Sequence, residues 1–178
     1  ANSTLGFIRR NLGKCSQDVK ERAYNALVRP HMEYATAAWD PYTKKNIEEL
    51  EKIQRRAARF VTSTYSYYHS VSSLLKDLKW NSLSLRRTIS RLSIMYKIIN
   101  KQIAIDIPPE MTKPTRTLRR SHKHSFIQLQ TRTDSYKYSF FPRTIIDWNS
   151  LPESVISQSN TEKFKEAALQ YYVSQQGL

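Results

Sequence analysis

Six lysine and arginine side chains recur at helical spacing between Lys44 and Val61, and the chemistry of such side chains is the neutralisation of phosphate. On a helix with successive residues about 100° apart, all six fall within one arc of about 120°. They are Lys44, Lys45, Lys52, Arg55, Arg56 and Arg59. The opposite arc, about 160° wide, is apolar. It holds Ile47, Leu50, Ile53, Ala57, Ala58, Phe60 and Val61. The pattern predicts a helix with one face in a core. The other face, which three glutamates border or interrupt, either contacts a polyanion or is simply solvated.

A second concentration of positive charge lies between residues 113 and 143. Eight lysines and arginines stand here against Asp134 alone, so half of the formal net charge of +14 is on this segment. Its candidate phosphate contacts are Arg116, Arg119, Arg120, Lys123, Lys137 and Arg143. Arg9 and Arg10, off the apolar face of a first helix, are two more candidates. From Thr144 onward the balance is slightly acidic, so the positive charge is localised.

No residue pattern indicates catalysis. Two-metal nucleases and polymerases need carboxylates that converge on divalent cations, whereas the aspartates of this chain are isolated. His122 and His124 flank Lys123 with no cysteine nearby, so we expect exposed side chains, or extra cations at mildly acid pH, rather than a zinc site. Cys15 is expected to pack as a small apolar residue. We therefore predict no catalytic and no metal-binding residue.

Composition limits the class of partner. The charge favours nucleic acid first and an anionic membrane surface second. No apolar run approaches the length of a membrane span, so we expect no membrane partner. One cysteine excludes an internal disulfide, which indicates a reducing compartment, nuclear or cytoplasmic. The chain opens on Ala1 within a helical pattern, as expected of a piece of something longer.

The elements that would position these residues are helical, and only 3 glycines occur in 178 residues. We predict a mainly α fold with a helical bundle over residues 1–105. A basic, irregular linker over 106–139 follows, in which 125–131 could form a strand. An aromatic turn and a C-terminal helix over 140–178 complete the chain.

Within the bundle, the patterns predict caps and buried faces. Gly13 ends the first helix and Ser16 begins a second. The buried face of that second helix is predicted to carry Val19, Ala23, Ala26 and Leu27. The chain restarts at Pro30, and Thr43 caps the basic helix.

A long helix over residues 85–103 carries an apolar stripe that leaves Arg86, Arg87 and Arg91 pointing elsewhere. Trp39, Trp80 and Trp148 are expected in the core. The tyrosines among the basic residues either stack on unpaired bases or pack at the core edge. They are Tyr65, Tyr67, Tyr68, Tyr136 and Tyr138.

Several ordered blocks resemble one family. ANSTLGFIRRNL, AYNALVRPHMEYATAAWDP, IEELEKIQRRAARFV, LLKDLKWNSLSLRR, RLSIMYKI and YKYSFFPRTIIDWNSLP are similar, in this order, to the region downstream of the catalytic palm in LINE-type (non-LTR) retrotransposon reverse transcriptases. The blocks span nearly the whole chain, to about Phe164. The last block holds the most distinctive residues: Tyr138, Phe140, Phe141, Pro142, Arg143, Trp148, Asn149, Leu151 and Pro152.

The resemblance implies a thumb-like helical domain plus a C-terminal extension of an RNA-directed DNA polymerase. Its implied partners are template RNA, the RNA–DNA hybrid, target DNA and the rest of the reverse transcriptase polypeptide. Mg²⁺ is implied only in the palm, whose aspartates this chain lacks, so no cofactor and no catalysis are expected of this chain alone. The Cys/His zinc knuckle of many relatives cannot be formed with one cysteine.

Two other hypotheses stay open. The chain could be a domesticated, stand-alone module that binds nucleic acid or a protein partner, which the absence of an upstream palm would favour. It could also be an independent enzyme, which would require metal-dependent activity from this chain alone.

Overall fold

A computed structural model of the chain describes residues 1–66, 68–115 and 122–175. The fold is mainly α-helical, as predicted, and these residues form no strand, including 125–131. The chain divides into two compact units, Ala1–Arg86 and Arg87–Leu178, which we call the N-terminal and C-terminal units. The division at residues 105 and 139 stays a prediction. No helix in the described part is long and apolar enough to cross a membrane.

The N-terminal unit is built from short helices around one long one. These are α1 (Asn2–Leu12), α2 (Gln17–Ala23), a π-helical turn (Tyr24–Val28), α3 (Pro30–Glu33), α4 (Thr36–Trp39), α5 (Lys44–Val61) and α6 (Val71–Asp77). The long helix α7 (Leu83–Ile99) begins in this unit. Pro30 stands at the first position of α3, where a missing N–H costs nothing. Thr43 caps α5 by accepting a hydrogen bond from the Asn46 N–H at 3.4 Å, as predicted.

The core of the N-terminal unit lies between α1, the π-helical turn and the second half of α5. Leu5, Ile8, Tyr24, Val28 and Phe60 are each at most 2% exposed. The predicted buried face of α2 is wrong, because Val19 and Leu27 are 41% and 47% exposed. Residues 20, 24 and 28, four apart, are the ones that face inward. Hydrophobicity alone does not predict this stripe, because its first residue is a lysine, Lys20.

Three helices end in Schellman motifs whose left-handed residue is not glycine. After α5, the Ser63 N–H donates to the Phe60 carbonyl and the Thr64 N–H to the Arg59 carbonyl, with Ser63 at φ 53°. The same pattern follows α6 at Lys79 (φ 55°) and α7 at Lys101 (φ 54°). Gly13, which the sequence predicts as a cap, does follow α1 but keeps right-handed dihedrals.

The C-terminal unit combines the rest of α7 with four helices after an irregular segment. They are α8 (Asp134–Lys137), α9 (Phe140–Asn149), α10 (Glu153–Ile156) and α11 (Thr161–Gln175). Its core stacks Tyr96 on Phe164, with ring centroids 4.6 Å apart, and Trp148 beside Phe164 at 5.8 Å. Trp148 and Phe164 are fully buried.

The segment after residue 121 is fastened to the end of α9 by side chains rather than by strand pairing. Asn149 donates to the Phe126 carbonyl at 2.7 Å and accepts from its N–H at 3.0 Å. The Trp148 indole donates to the His124 carbonyl at 3.0 Å. Two residues of the most distinctive block therefore have a structural role here.

His122 is buried, contrary to the prediction of an exposed side chain. Its Nε2 lies 3.2 Å from the Trp148 carbonyl, and its Nδ1 accepts from the His124 N–H at 3.2 Å. Because a carbonyl can only accept, Nε2 carries the proton of the neutral ring. Burial lowers the pKa of His122, because an environment poor in water disfavours the charged imidazolium.

Candidate nucleic-acid interface

The basic face of α5 is present as a surface. We use this name for the side chains of Lys44, Lys45, Lys52, Arg55, Arg56 and Arg59. Four of them are exposed, and Arg55 and Arg59 are half-buried. The first turn of α5 contains no acidic residue. Lys44 and Lys45 are the first two residues of α5 and so lie at the positive end of the helix dipole, where a cation is disfavoured by about 0.3–1 kcal/mol.

The three acids that border this face have identifiable partners. Glu51 accepts from the Ser84 N–H at 2.9 Å and so caps the start of α7. Glu48 pairs with Arg55, and Glu49 with Lys52 at 2.6 Å. The hydrogen bond from Lys52 lowers the pKa of Glu49. These pairs reduce the positive potential near Lys52 and Arg55 but leave four cations in excess, of which Lys44, Lys45 and Arg56 are exposed and Arg59 is half-buried.

Helix α1 brings Arg9 and Arg10 to the same unit. Arg56 of α5 donates to the Asn2 side chain of α1 at 3.3 Å, so the two helices meet along their polar edges. The Arg9 guanidinium carbon lies 6.0 Å from the ring centroid of Tyr65, which follows α5. Both arginines are exposed.

Lys20 is a buried cation that the sequence analysis missed. It is 4% exposed, donates to the Ser63 hydroxyl at 2.7 Å, and lies 5.5 Å from the Phe60 ring centroid. An ammonium at the C-terminal end of α5 is favoured by the helix dipole and fixes the turn that leads to Tyr65. Its spacing of four residues from Tyr24 is the sequence signal that could have identified it.

The remaining candidates lie in the C-terminal unit. Arg116, Arg119 and Arg120 lie outside the described residues. Lys123 is exposed and pairs with Glu153 at 3.4 Å. Lys137 is exposed, with its ammonium 5.4 Å from the Tyr138 ring centroid. The described contacts do not bring Lys123 and Lys137 together.

Arg143 has a different environment from the other candidates. It is half-buried, and burial lowers its pKa, with Asp147 opposing this shift and Arg87 adding to it. Arg91 donates to the Asp147 carboxylate at 2.7 Å. Arg87 and Arg91 are 1% and 2% exposed, so the prediction that they point away from the core is wrong. Three guanidiniums and one carboxylate thus form an internal charge cluster in this unit.

Aromatic side chains divide between core and surface. Trp148 is buried and Trp80 stacks on Tyr24 at 4.4 Å, but Trp39 is 40% exposed and donates its indole N–H to the Tyr34 carbonyl. Tyr65 and Tyr68 are 57% and 94% exposed, which makes their rings accessible to a base. Tyr67 lies outside the described residues.

The described residues contain no group of three or more His, Cys, Asp or Glu side chains able to hold a metal ion. Cys15, expected to be a buried small residue, is partly exposed.

The chain matches no family model, no curated protein and no solved structure.

Proposed function

We propose that this chain is the thumb and C-terminal portion of a LINE-type reverse transcriptase, and that it binds template RNA and the RNA–DNA duplex through phosphate contacts. The observation that carries the proposal is the basic face of α5, backed by a buried apolar face. The ordered blocks of resemblance supply the family. Mg²⁺ would be held only by the palm of the parent enzyme, so this chain would neither polymerise nor cleave by itself.

The electrostatic layout supports phosphate contact rather than plain solvation. Lys44 and Lys45 stand at the helix end where cations destabilise, and no acid of the first turn offsets them. A phosphate bound there offsets that penalty, because its negative charge is favoured at this end of the helix. Each phosphate contacted also releases condensed counterions, which favours binding. Contacts to phosphate oxygens position a protein on nucleic acid but carry no sequence information, so binding through this face would be independent of sequence.

The test compares two triple variants with equal loss of charge. Lys44→Gln, Lys45→Gln and Arg56→Gln remove the exposed excess on α5, while Arg22→Gln, Lys163→Gln and Lys165→Gln remove three cations elsewhere. Affinity for an RNA–DNA hybrid is measured by fluorescence anisotropy over a salt series. The α5 variant is expected to bind on the order of tenfold more weakly on any sequence. Its salt dependence should be shallower by about 0.9 in log–log slope for each lost contact.

If both triple variants weaken binding equally, the effect arises from the loss of net charge and not from the basic face of α5. An unchanged affinity and slope in the α5 variant would exclude this face as the interface. A circular dichroism spectrum that keeps its helical signal shows that the substitutions removed charge and not structure. Adding this chain to an upstream palm domain distinguishes a polymerase thumb from a stand-alone module, because only a thumb is expected to change primer extension by that palm.

A further inference from the structure

Two of the three glycines of the chain line one cavity of the N-terminal unit. The cavity has a volume of about 320 Å³ and is lined by Gly6, Arg9, Arg10, Gly13, Phe60 and Tyr65. Gly6, Arg9, Arg10 and Gly13 follow each other at helical spacing, so they form one stripe along α1. Glycine within a helix costs about 1 kcal/mol relative to alanine, and Gly6 bears that cost in the middle of α1.

The walls of the cavity combine two guanidiniums with an accessible aromatic face. The Cβ of any larger residue at position 6 would lie 3.5 Å from Arg10 Nη1, which shows that the Arg10 side chain folds back over Gly6. The guanidinium carbon of Arg9, the other arginine of the cavity, lies 6.0 Å from the centroid of the exposed Tyr65 ring. None of the described lining residues is acidic. Phe60, buried below, provides an apolar floor.

The loop that carries Tyr65 is held in place. The Schellman motif at the end of α5 fixes the turn, and Lys20 donates to the hydroxyl of its left-handed residue, Ser63, at 2.7 Å. The Lys20 ammonium also adds positive charge 5.5 Å from the centroid of the floor residue Phe60. The aromatic wall is therefore positioned before any ligand arrives.

We infer that this cavity binds one unpaired nucleotide of an RNA or DNA strand, with the base on Tyr65 and the phosphate on Arg9 and Arg10. Planar guanidiniums form forked hydrogen bonds with phosphate oxygens, and an aromatic ring accepts any base on its face. The volume lies within the range of small-ligand pockets. The inference deepens the proposed function and rests on it, because it adds a single-stranded subsite to the duplex contacts of α5.

The experiment measures the full chain with two probes, a blunt RNA–DNA hybrid and the same hybrid with a single-stranded overhang that contains 5-iodouridine. We expect the overhang to increase affinity and to cross-link to Tyr65 on irradiation. Tyr65→Ala should lower overhang affinity by roughly 5- to 150-fold, the range for losing one stacked base, and leave the blunt hybrid unchanged. Tyr65→Phe should retain the gain. Tyr68→Ala is the matched control, since Tyr68 is an exposed tyrosine of the same segment outside the cavity.

Gly6→Leu fills the cavity without changing charge, and Gly6→Ala controls for helix propensity. Loss of the overhang gain with Leu but not with Ala supports the subsite. An equal response of both probes to Tyr65→Ala would overturn it. Blunt-hybrid binding that depends on α5, with no gain from the overhang, would overturn the subsite and leave the proposed function intact.

Two further arms separate the sources of the ligand. A nucleoside monophosphate that competes with the overhang shows that the nucleotide itself is sufficient. A phosphotyrosine peptide that binds in a Tyr65-dependent manner, with no binding of the overhang, would overturn the inference in favour of a protein ligand. Absence of binding to either nucleic-acid probe would overturn both the subsite and the proposed function.

Discussion

Arg56 of the N-terminal unit and Arg91 of the C-terminal unit have opposite environments. On α5, Arg56 is exposed, so its charge is available to a ligand. In the C-terminal unit, Arg91 is 2% exposed and Arg143 is half-buried, around a single carboxylate, Asp147. The comparison teaches that arginine count alone does not locate a binding surface. The Arg56 guanidinium on α5 is available for binding, whereas the Arg91 guanidinium is enclosed within the C-terminal unit and paired with Asp147.

The largest expected effect comes from Asp147→Asn. Removing one partner of a buried ion pair typically costs about 3–5 kcal/mol, and the side chain of Arg91 is 3% exposed while that of Asp147 is 28% exposed. We therefore expect a loss near the lower end of that range in urea denaturation. Hydrogen exchange should increase in α9 and α11.

Asp18→Asn is the matched control. Its ion pair with Arg22 has 80% and 67% side-chain exposure, so its loss should cost less than about 1 kcal/mol. Equal losses in the two variants would contradict the distinction between the two environments of arginine.

The sequence predicts α5 well because its apolar and basic residues separate cleanly around the helix, and Thr43 marks its start. It also predicts α7 and its apolar stripe, but it fails to predict that Arg87 and Arg91 are buried with that stripe, because hydrophobicity cannot reveal that a distant carboxylate pairs with Arg91. It fails for α2 in the same way at Lys20. The cavity beside Arg9 could not be predicted from the sequence either, because it forms only when the turn after α5 places Tyr65 next to α1.

We expect pH to have an intermediate effect on folding stability, through a group in the C-terminal unit. Burial lowers the pKa of His122 in the folded state below its ordinary value of 6.5, with the Trp148 carbonyl and Glu153 opposing this shift and His124 adding to it. The unfolded chain then binds more protons than the folded chain as pH falls from about 6.5 toward the folded pKa. Stability is therefore full above pH 6.5 and decreases through that window.

His122→Gln tests this assignment, because glutamine does not titrate. The variant should have lower stability at neutral pH and a flatter dependence on pH, measured by urea denaturation between pH 7.5 and about 5. His31→Gln, at an exposed position of the N-terminal unit, should retain the wild-type dependence. A steep pH dependence that persists in His122→Gln would assign the titration to another group.

The smallest expected effect compares the Schellman turns of the two units. Lys79 and Lys101 adopt φ 55° and 54°, a region that costs a side-chain-bearing residue about 1–2 kcal/mol, so glycine at either position should relieve this strain. Part of the gain is lost to the greater entropy of glycine in the unfolded chain, which leaves about 0.5–1 kcal/mol of stabilisation. Ser63→Gly should gain less than either, because it removes the hydroxyl that accepts the Lys20 ammonium at 2.7 Å. Thermal unfolding of the three variants measures this order, and a gain at Ser63 equal to that at Lys79 would show that the Lys20 contact adds no stability.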